Sequence, residues 1–364
     1  VVEILLAHGR RFVAETMART AIVAGLLAIL VACGSDPESV SSVPSPGPGS
    51  VTGSWANCID IPQAHDWEYV GTAFESGIEG EFDRYLWGGF GGSTIRLDDE
   101  ILLYYQGARG FSEVQQSVIF RSIGLAVSAD GTTFTKDTVS PVLEWTPKAG
   151  EEEGAASVAV AVGPGGEIVA FYGANTMSGA TTVNADGRWA TSADGRDFTD
   201  RGIVLDHGDR DVFGSGDELF PVIALFHGQT WYVYYLPNGE IRGRLGVAFG
   251  RSPDALDENA SVRMGKRQVL AWGMASAAQL CGDIYALFLN DVESKTMTVH
   301  LVDLNNPEAL SDPVATYRFS PTDRMPGFSQ GAVHLDRETG YWYLYYRVDD
   351  ASRYAVRRAP LVMR

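Results

Sequence analysis

Ile101-Leu102-Leu103-Tyr104-Tyr105 is an apolar run closed by aromatic residues. The same construction returns as Ile168-Val169-Ala170-Phe171-Tyr172, Trp231-Tyr232-Val233-Tyr234-Tyr235, Ile284-Tyr285-Ala286-Leu287-Phe288 and Trp342-Tyr343-Leu344-Tyr345-Tyr346. The closing residues lie 67, 63, 53 and 58 positions apart, so one unit is used five times. A period of this kind means that each unit buries its apolar surface against its neighbours. Working outward from each run, a shorter strand and a turn precede it. These are Ser93-Thr94-Ile95-Arg96-Leu97 before Asp98-Asp99, Pro221 to Phe226 before His227-Gly228, and Gly331 to Leu335 before a turn at 336–340. A third strand follows, leading into Ser128-Ala129-Asp130-Gly131, Ser192-Ala193-Asp194-Gly195 and the looser Ser252-Pro253-Asp254-Ala255. Asp-Gly between apolar strands predicts a tight hairpin, because both central residues of a type I′ turn take positive φ. Each unit therefore reads as a four-stranded antiparallel sheet. The mature chain shows no sustained 3.6-residue apolar period, so helices are expected to be few. Five such sheets set radially make an all-β, five-bladed β-propeller, an arrangement that leaves only short, protected edges. The unit is too long for a WD40 blade of about 40–45 residues.

Upstream of the repeats the chain reads as an address and a tether. Met17-Ala18-Arg19-Thr20 precedes twelve apolar residues, Ala21 to Ala32, ending at Cys33-Gly34-Ser35-Asp36. That run is shorter than the roughly 20 residues a membrane-spanning helix needs and suits a signal-peptide core. Leu30-Val31-Ala32-Cys33 resembles a bacterial lipobox, which makes Cys33 the expected site of lipidation. The expected divisions are 1–32, a signal peptide with a start-site extension before Met17; 33–54, the lipidated Cys and a flexible Ser/Pro/Gly tether; and 55–364, the propeller. Pro44-Ser45-Pro46-Gly47-Pro48-Gly49 in the tether cannot build a packed core.

The 364 residues carry 28 Lys and Arg against 46 Asp and Glu, a formal charge of −18. An acidic chain with no basic run excludes a nucleic-acid partner. With 3 Cys, a four-Cys zinc site is excluded. After lipidation of Cys33 two thiols remain, Cys58 and Cys281, which either pair in an oxidising compartment or stay separate.

Tyr104-Tyr105-Gln106-Gly107, followed by Ile123-Gly124-Leu125-Ala126-Val127-Ser128-Ala129-Asp130-Gly131 and Phe134, resembles the five-bladed propeller glycosidases. These are the family 43 arabinanases and xylosidases, the invertases and levansucrases, and the mannoside phosphorylases. The resemblance spans roughly residues 66–362 and rests on structural strands and turns. It implies an active site in the central funnel, where the first strand of each blade begins, built from three carboxylates on the first three blades. An acid protonates the leaving oxygen, a second carboxylate activates water or attacks the sugar, and a third separates their pKa values.

On this basis Glu218, with Asp217 as its alternate, is the expected general acid before the inner strand of blade III. Glu153, in the acidic run 151–153, is the expected orienting group from blade II, although such a run also reads as a solvated face. Blade I offers Gly88-Gly89-Phe90-Gly91-Gly92 where these families carry an Asp, often as His-Asp-Pro. Asp83 in Glu81-Phe82-Asp83-Arg84 is the nearest candidate for the base, and Asp66 lies further away. Trp87 and Phe90 could stack on a sugar or pack between blades. His334, on the fifth inner strand, reads as a core residue; the resemblance also allows a central ion or water there. No cofactor and no metal site is implied. The expected protein is a monomeric, lipid-anchored, extracytoplasmic glycoside hydrolase acting on an oligosaccharide or polysaccharide. The alternatives are a glycoside phosphorylase and a non-catalytic propeller that binds a glycan or a protein.

Overall fold

The computed structural model describes residues 58–86, 92–112, 117–144, 154–178, 181–206, 218–238, 245–256, 261–262, 275–291, 296–318, 331–347 and 352–363. The expected signal peptide, the expected lipidation site Cys33 and the expected tether lie outside them.

The described chain is a five-bladed propeller of antiparallel sheets, as the repeat implies. The innermost strands are Ser93–Leu97, Ala155–Val162, Glu218–His227, Ala275–Cys281 and Gly331–Asp336. The aromatic runs form the second strands: Glu100–Ser112, Ile168–Ser178, Thr230–Asn238, Ile284–Asp291 and Tyr341–Arg347. Third strands follow at Ser117–Ser128, Thr181–Ser192, Leu245–Gly250, Thr296–Asp303 and Arg353–Pro360. Outer strands from the same repeat complete blades I to IV, some as short as Thr135–Lys136 and Ser261–Val262. The outermost strand of blade V comes from the other end of the chain: Glu68–Glu75 pairs antiparallel with Arg353–Pro360. Ring closure thus joins the two ends of the domain through backbone hydrogen bonds. Ala64–Asp66, a single 3₁₀ turn, is the one helical segment among the described residues.

Alternating residues of each strand face opposite neighbours, so every blade contributes to two seams. Five apolar clusters result, one for each seam. Between blades I and II, for example, Leu102, Tyr104 and Leu125 meet Val158, Ile168 and Tyr172. Between V and I, Ala332, Tyr345 and Val356 meet Ile101, Leu103 and Tyr105. A fully buried large side chain contributes about 1.5–3 kcal/mol relative to leaving it in water, so these seams supply the main cohesion of the ring.

The Asp-Gly turns differ from the expected two-residue hairpin. Asp130 accepts hydrogen bonds from the backbone N–H groups of Thr132 and Thr133 at 2.8 and 3.0 Å, and Ser128 Oγ accepts from Gly131 N–H at 2.9 Å. The result is a wider, side-chain-closed turn. Asp194 and Ser192 repeat the arrangement in blade II. Gly131 and Gly195 have φ of +73° and +74°, and a Cβ on either would strike a tyrosine of the preceding blade, Tyr343 or Tyr104. Those contacts explain the closing aromatics. Tyr345 donates to the Gly131 carbonyl at 3.0 Å, Tyr104 to that of Gly195 at 2.9 Å, and Tyr234 to that of Pro307 at 3.1 Å. Each phenol rivets its blade to the turn of the next.

Cys58 and Cys281 form a disulfide across a sequence separation of 223. It ties the segment entering the domain to the innermost strand of blade IV, beside the seam between blades IV and V.

Candidate functional site

The five innermost strands enclose an axial cavity of about 220 Å³, lined by Gly92, Ser93, Val160, Val222, Ala275 and Val333 among others. An inner strand has one unpaired backbone edge, and a buried N–H or C=O without a partner is costly. Neighbouring blades supply the partners. Gly92 N–H donates to the Gly331 carbonyl at 2.9 Å, Ser93 Oγ accepts from Val160 N–H at 2.9 Å, and Ser276 Oγ accepts from Val333 N–H at 3.1 Å. Small side chains let the strands approach this closely. Among the described residues no Asp or Glu side chain lines the cavity.

At the end where the inner strands begin, Glu218 is the first residue of blade III's strand. Its backbone pairs with Asn238, and a single parallel bridge to Ala185 links it to blade II. Leu219 and Phe220, which follow it, are buried in the seams on either side. The fold thus presents Glu218 at the rim. Asp217, Glu153, Trp87 and Phe90 lie outside the described residues. Gly154, which connects the acidic run to blade II, passes so close to blade I that a Cβ there would collide with the Arg121 carbonyl oxygen.

Asp83 lies elsewhere. It is 1% exposed and absent from the cavity wall. Tyr105 donates to its carboxylate at 2.8 Å and Lys136 Nζ at 3.1 Å. Its Cβ packs against Gly107, on the second strand of blade I. Burial and the neighbouring Asp83 charge push the Tyr105 phenol well above its ordinary value. Asp66 closes the 3₁₀ turn, accepting from Gln63 N–H at 2.6 Å.

Two polar residues passed over in the sequence stand near the rim. Gln106 is fully buried; its Nε2 reaches the Ala155 carbonyl at 3.4 Å and its Oε1 has no partner among the described residues. Asn290 is also fully buried, and neither of its amide atoms has a partner among the described residues. The available signal was position, since each follows an aromatic run.

The opposite end holds ion pairs that lock seams. Arg96 of blade I donates twice to Asp336 of blade V, at 3.1 and 2.7 Å, and also meets Glu338 at 3.2 Å. Burial pushes the Asp336 carboxyl up, but Arg96, Thr339 and the Glu338 N–H outweigh it and hold it below the usual range. His334, in the same seam, has an unpartnered Nε2, and burial lowers its pKa to about 4. Between blades III and IV, His227 Nε2 lies 2.6 Å from Asp283, which also accepts from Asn305 at 2.9 Å. Among the described residues no group of three His, Cys, Asp or Glu could hold a metal ion.

Compared by sequence, the chain matches no family model and none of the curated proteins. Compared by structure, it is similar to a β-1,2-mannobiose phosphorylase from Listeria innocua, with 13% identity over 75% of this chain and 89% of that one and a TM-score of 0.53. It is similar to a family 117 glycoside hydrolase from Zobellia galactanivorans, at 12% identity over 82% and 92% with a TM-score of 0.53. The α-L-arabinofuranosidase of Podospora anserina aligns at 12% identity over 82% and 98%, also with a TM-score of 0.53. These are likenesses of fold.

Proposed function

We propose that the chain is a carbohydrate-active enzyme of the glycoside hydrolase or phosphorylase kind, acting at the rim where the innermost strands begin. One observation carries the reading: Glu218 opens the inner strand of blade III in a five-bladed ring whose solved counterparts include both kinds of enzyme. In this reading the Glu218 carboxyl gives its proton to the leaving glycosidic oxygen as the bond to the anomeric carbon breaks. A second carboxylate, for which Glu153 is the candidate, takes a proton from the attacking water or attacks the sugar itself. Asp217 is the alternate acid, and Trp87 and Phe90 are candidates for stacking on the sugar face. Asp83, already engaged by Tyr105 and Lys136, is assigned the support of the blade I entrance.

The location belongs to the same proposal. A lipid on Cys33 would hold the domain outside the cytoplasm at the end of its Ser/Pro/Gly tether. The Cys58–Cys281 disulfide supports this, because such bonds persist in oxidising compartments.

Glu218→Gln is the direct test, with the purified protein assayed against aryl glycosides and oligosaccharides, with and without phosphate. General acid catalysis contributes about 10²- to 10⁴-fold, so turnover should fall by that factor while the melting temperature stays unchanged. An undiminished rate would remove Glu218 from the mechanism. Phosphate dependence would select phosphorolysis over hydrolysis. A second reading, a glycan- or protein-binding propeller without catalysis, is favoured by the closed-in Asp83. Saturable binding without product on any substrate would select it.

A further inference from the structure

Two blades continue past the end where the inner strands begin. In blade I the pair Ser93–Tyr104 opens the inner strand, yet the second and third strands run on together, through Gly110–Ile119, to Ser112–Ser117. At roughly 3.3 Å per residue that hairpin overhangs the inner strand by about 25 Å. Blade II does the same: its inner strand opens at the pair Ala155–Ala174, and the hairpin continues to Ser178–Thr181. The two tips stand at one height. Ser93 Oγ accepts from Val160 N–H at 2.9 Å, which sets Ser93 level with Val160, and Val160 pairs with Ala170. The rise from Ala170 to Ser178 therefore matches that from Tyr104 to Ser112. The described second strands of the other blades stop sooner. They end at Asn238, which pairs with Glu218 itself, at Asp291 just past Ala275–Leu289, and at Arg347 just past Gly331–Tyr346.

Each hairpin rises from beside a candidate carboxylate of the next blade. Arg121 pairs with Ala108 at the foot of the blade I hairpin, and its carbonyl oxygen lies against Gly154, the residue after Glu153. Ala185 pairs with Asn175 at the foot of the blade II hairpin and is bridged through the backbone to Glu218. A second strand lies one strand further from the axis than its inner strand. Where the inner strand has stopped, the inner edge of the hairpin borders the mouth of the ring. In blade I, Tyr85–Leu86 pairs with that edge at Gly107–Ala108, and the hairpin runs on beyond it. Two ribbons of equal height thus stand side by side over the entrances of blades II and III.

We propose that the hairpins of blades I and II wall one side of the site and restrict it to the ends of glycan chains. A chain bound through its middle needs a way out on both sides of the reacting bond. Hairpins beside both carboxylates take one of those ways out. The sugar at the reacting bond is then the terminal one, and the rest of the chain leaves away from blades I and II. The inference rests on the enzyme reading above and adds the substrate class, the end of an oligosaccharide or polysaccharide.

The test begins with the wild-type chain and end-labelled oligosaccharides of increasing length, with and without phosphate. Stepwise loss of terminal units is expected, and a cyclic glycan of the same linkage, which has no end, should resist. Mid-length products at early times, or turnover of the cyclic glycan, would overturn the inference and leave the enzyme reading standing. The walls are then lowered one at a time. Replacing 176–184 by Asn-Gly closes Asn175 onto Ala185 with a two-residue turn and keeps the bridge to Glu218. Replacing 109–120 by Asn-Gly does the same between Ala108 and Arg121. Either change should let internal bonds be cut, so that mid-length products appear and the cyclic glycan becomes a substrate. Turnover of a single-sugar aryl glycoside should stay unchanged, because the carboxylates are untouched. Thermal melting shows which variants are folded; one is enough, and the wild-type arm decides if neither folds. A folded variant that keeps strict terminal release would overturn the role of its hairpin. A wild type that turns over no glycan would overturn the enzyme reading and this inference together.

Discussion

Lowering the pH should loosen the ring at His334, by an amount that the structure sets. His334 is 8% exposed in the seam between blades V and I, with Asp336 and Arg96 as its charged neighbours; Glu338 faces Arg96 in turn. Burial is the largest influence on its imidazole; Asp336 opposes it and Arg96 adds to it, and the pKa falls from 6.5 to about 4. In the unfolded chain the imidazole takes its proton near 6.5, whereas the folded ring refuses it until about pH 4. Between those values the unfolded state binds more protons, so stability falls as pH falls. Above 6.5 both states are neutral, and below 4 both are protonated, so the loss is confined to that window. Each pKa unit corresponds to about 1.4 kcal/mol, and lowering the pH from 7.5 to 4.5 should cost about 2.5 kcal/mol through this one group. Burial also lowers the pKa of His300, which acts in the same direction. The comparison is therefore with His334→Gln, which keeps every other group. Urea unfolding followed by tryptophan fluorescence at pH 7.5, 6, 5 and 4.5 gives both stability curves. The wild type should lose about 2.5 kcal/mol more than the variant over that range. Parallel curves would refute a buried, neutral His334 and the tightness assigned to this seam.

Two further predictions concern residues that the fold has removed from the channel or cross-linked. Asp83→Asn should destabilise the domain by about 1–3 kcal/mol, because the buried carboxylate is lost to Tyr105 while Lys136 stays partly solvated; its turnover, measured well below the melting point, should persist, and a folded but inactive variant would return Asp83 to the reaction. Reduction of Cys58–Cys281, which spans 223 residues, should lower stability by about 2–4 kcal/mol; urea unfolding with and without dithiothreitol measures it, the Cys58→Ser/Cys281→Ser protein should ignore the reductant, and a wild type equally indifferent would show that the bond does not contribute.

The blade count was legible in the chain because its signal is local and repeated. A strand of alternating faces between two seams must be apolar on both, and an aromatic ring recurs in each run, as a riveting phenol in blades I, III and V. Tyr104, Tyr234 and Tyr345 therefore mark the repeat before any contact is known. The Asp-Gly sites were legible as turns, but their width was not, since it depends on Ser128 and Ser192 closing the loop with their hydroxyls and on a tyrosine from another blade filling the space above the glycine.

The candidate site was legible only where it coincides with a strand boundary. Glu218 could be placed at the start of an inner strand because Pro221 and the apolar run behind it mark that strand. Asp83 could not be placed, since its carboxylate answers to Tyr105 and to Lys136, which is 53 residues away. Gln106 and Asn290 gave no sign either, because an amide after an aromatic run looks like any solvated strand end until a neighbouring blade covers it.

The sequence by itself determined the all-β class, five units, the order of three strands within each, and the net acidic charge. Periodicity and composition act over a few residues, so they survive without the fold. Tertiary structure alone decided that Glu68–Glu75 completes blade V, that Cys58 meets Cys281, that Arg96 binds Asp336, and that small and apolar side chains of the innermost strands line the channel. Each of those joins groups more than 200 residues apart or depends on which strand edge faces the axis, and only closing the ring brings such groups together.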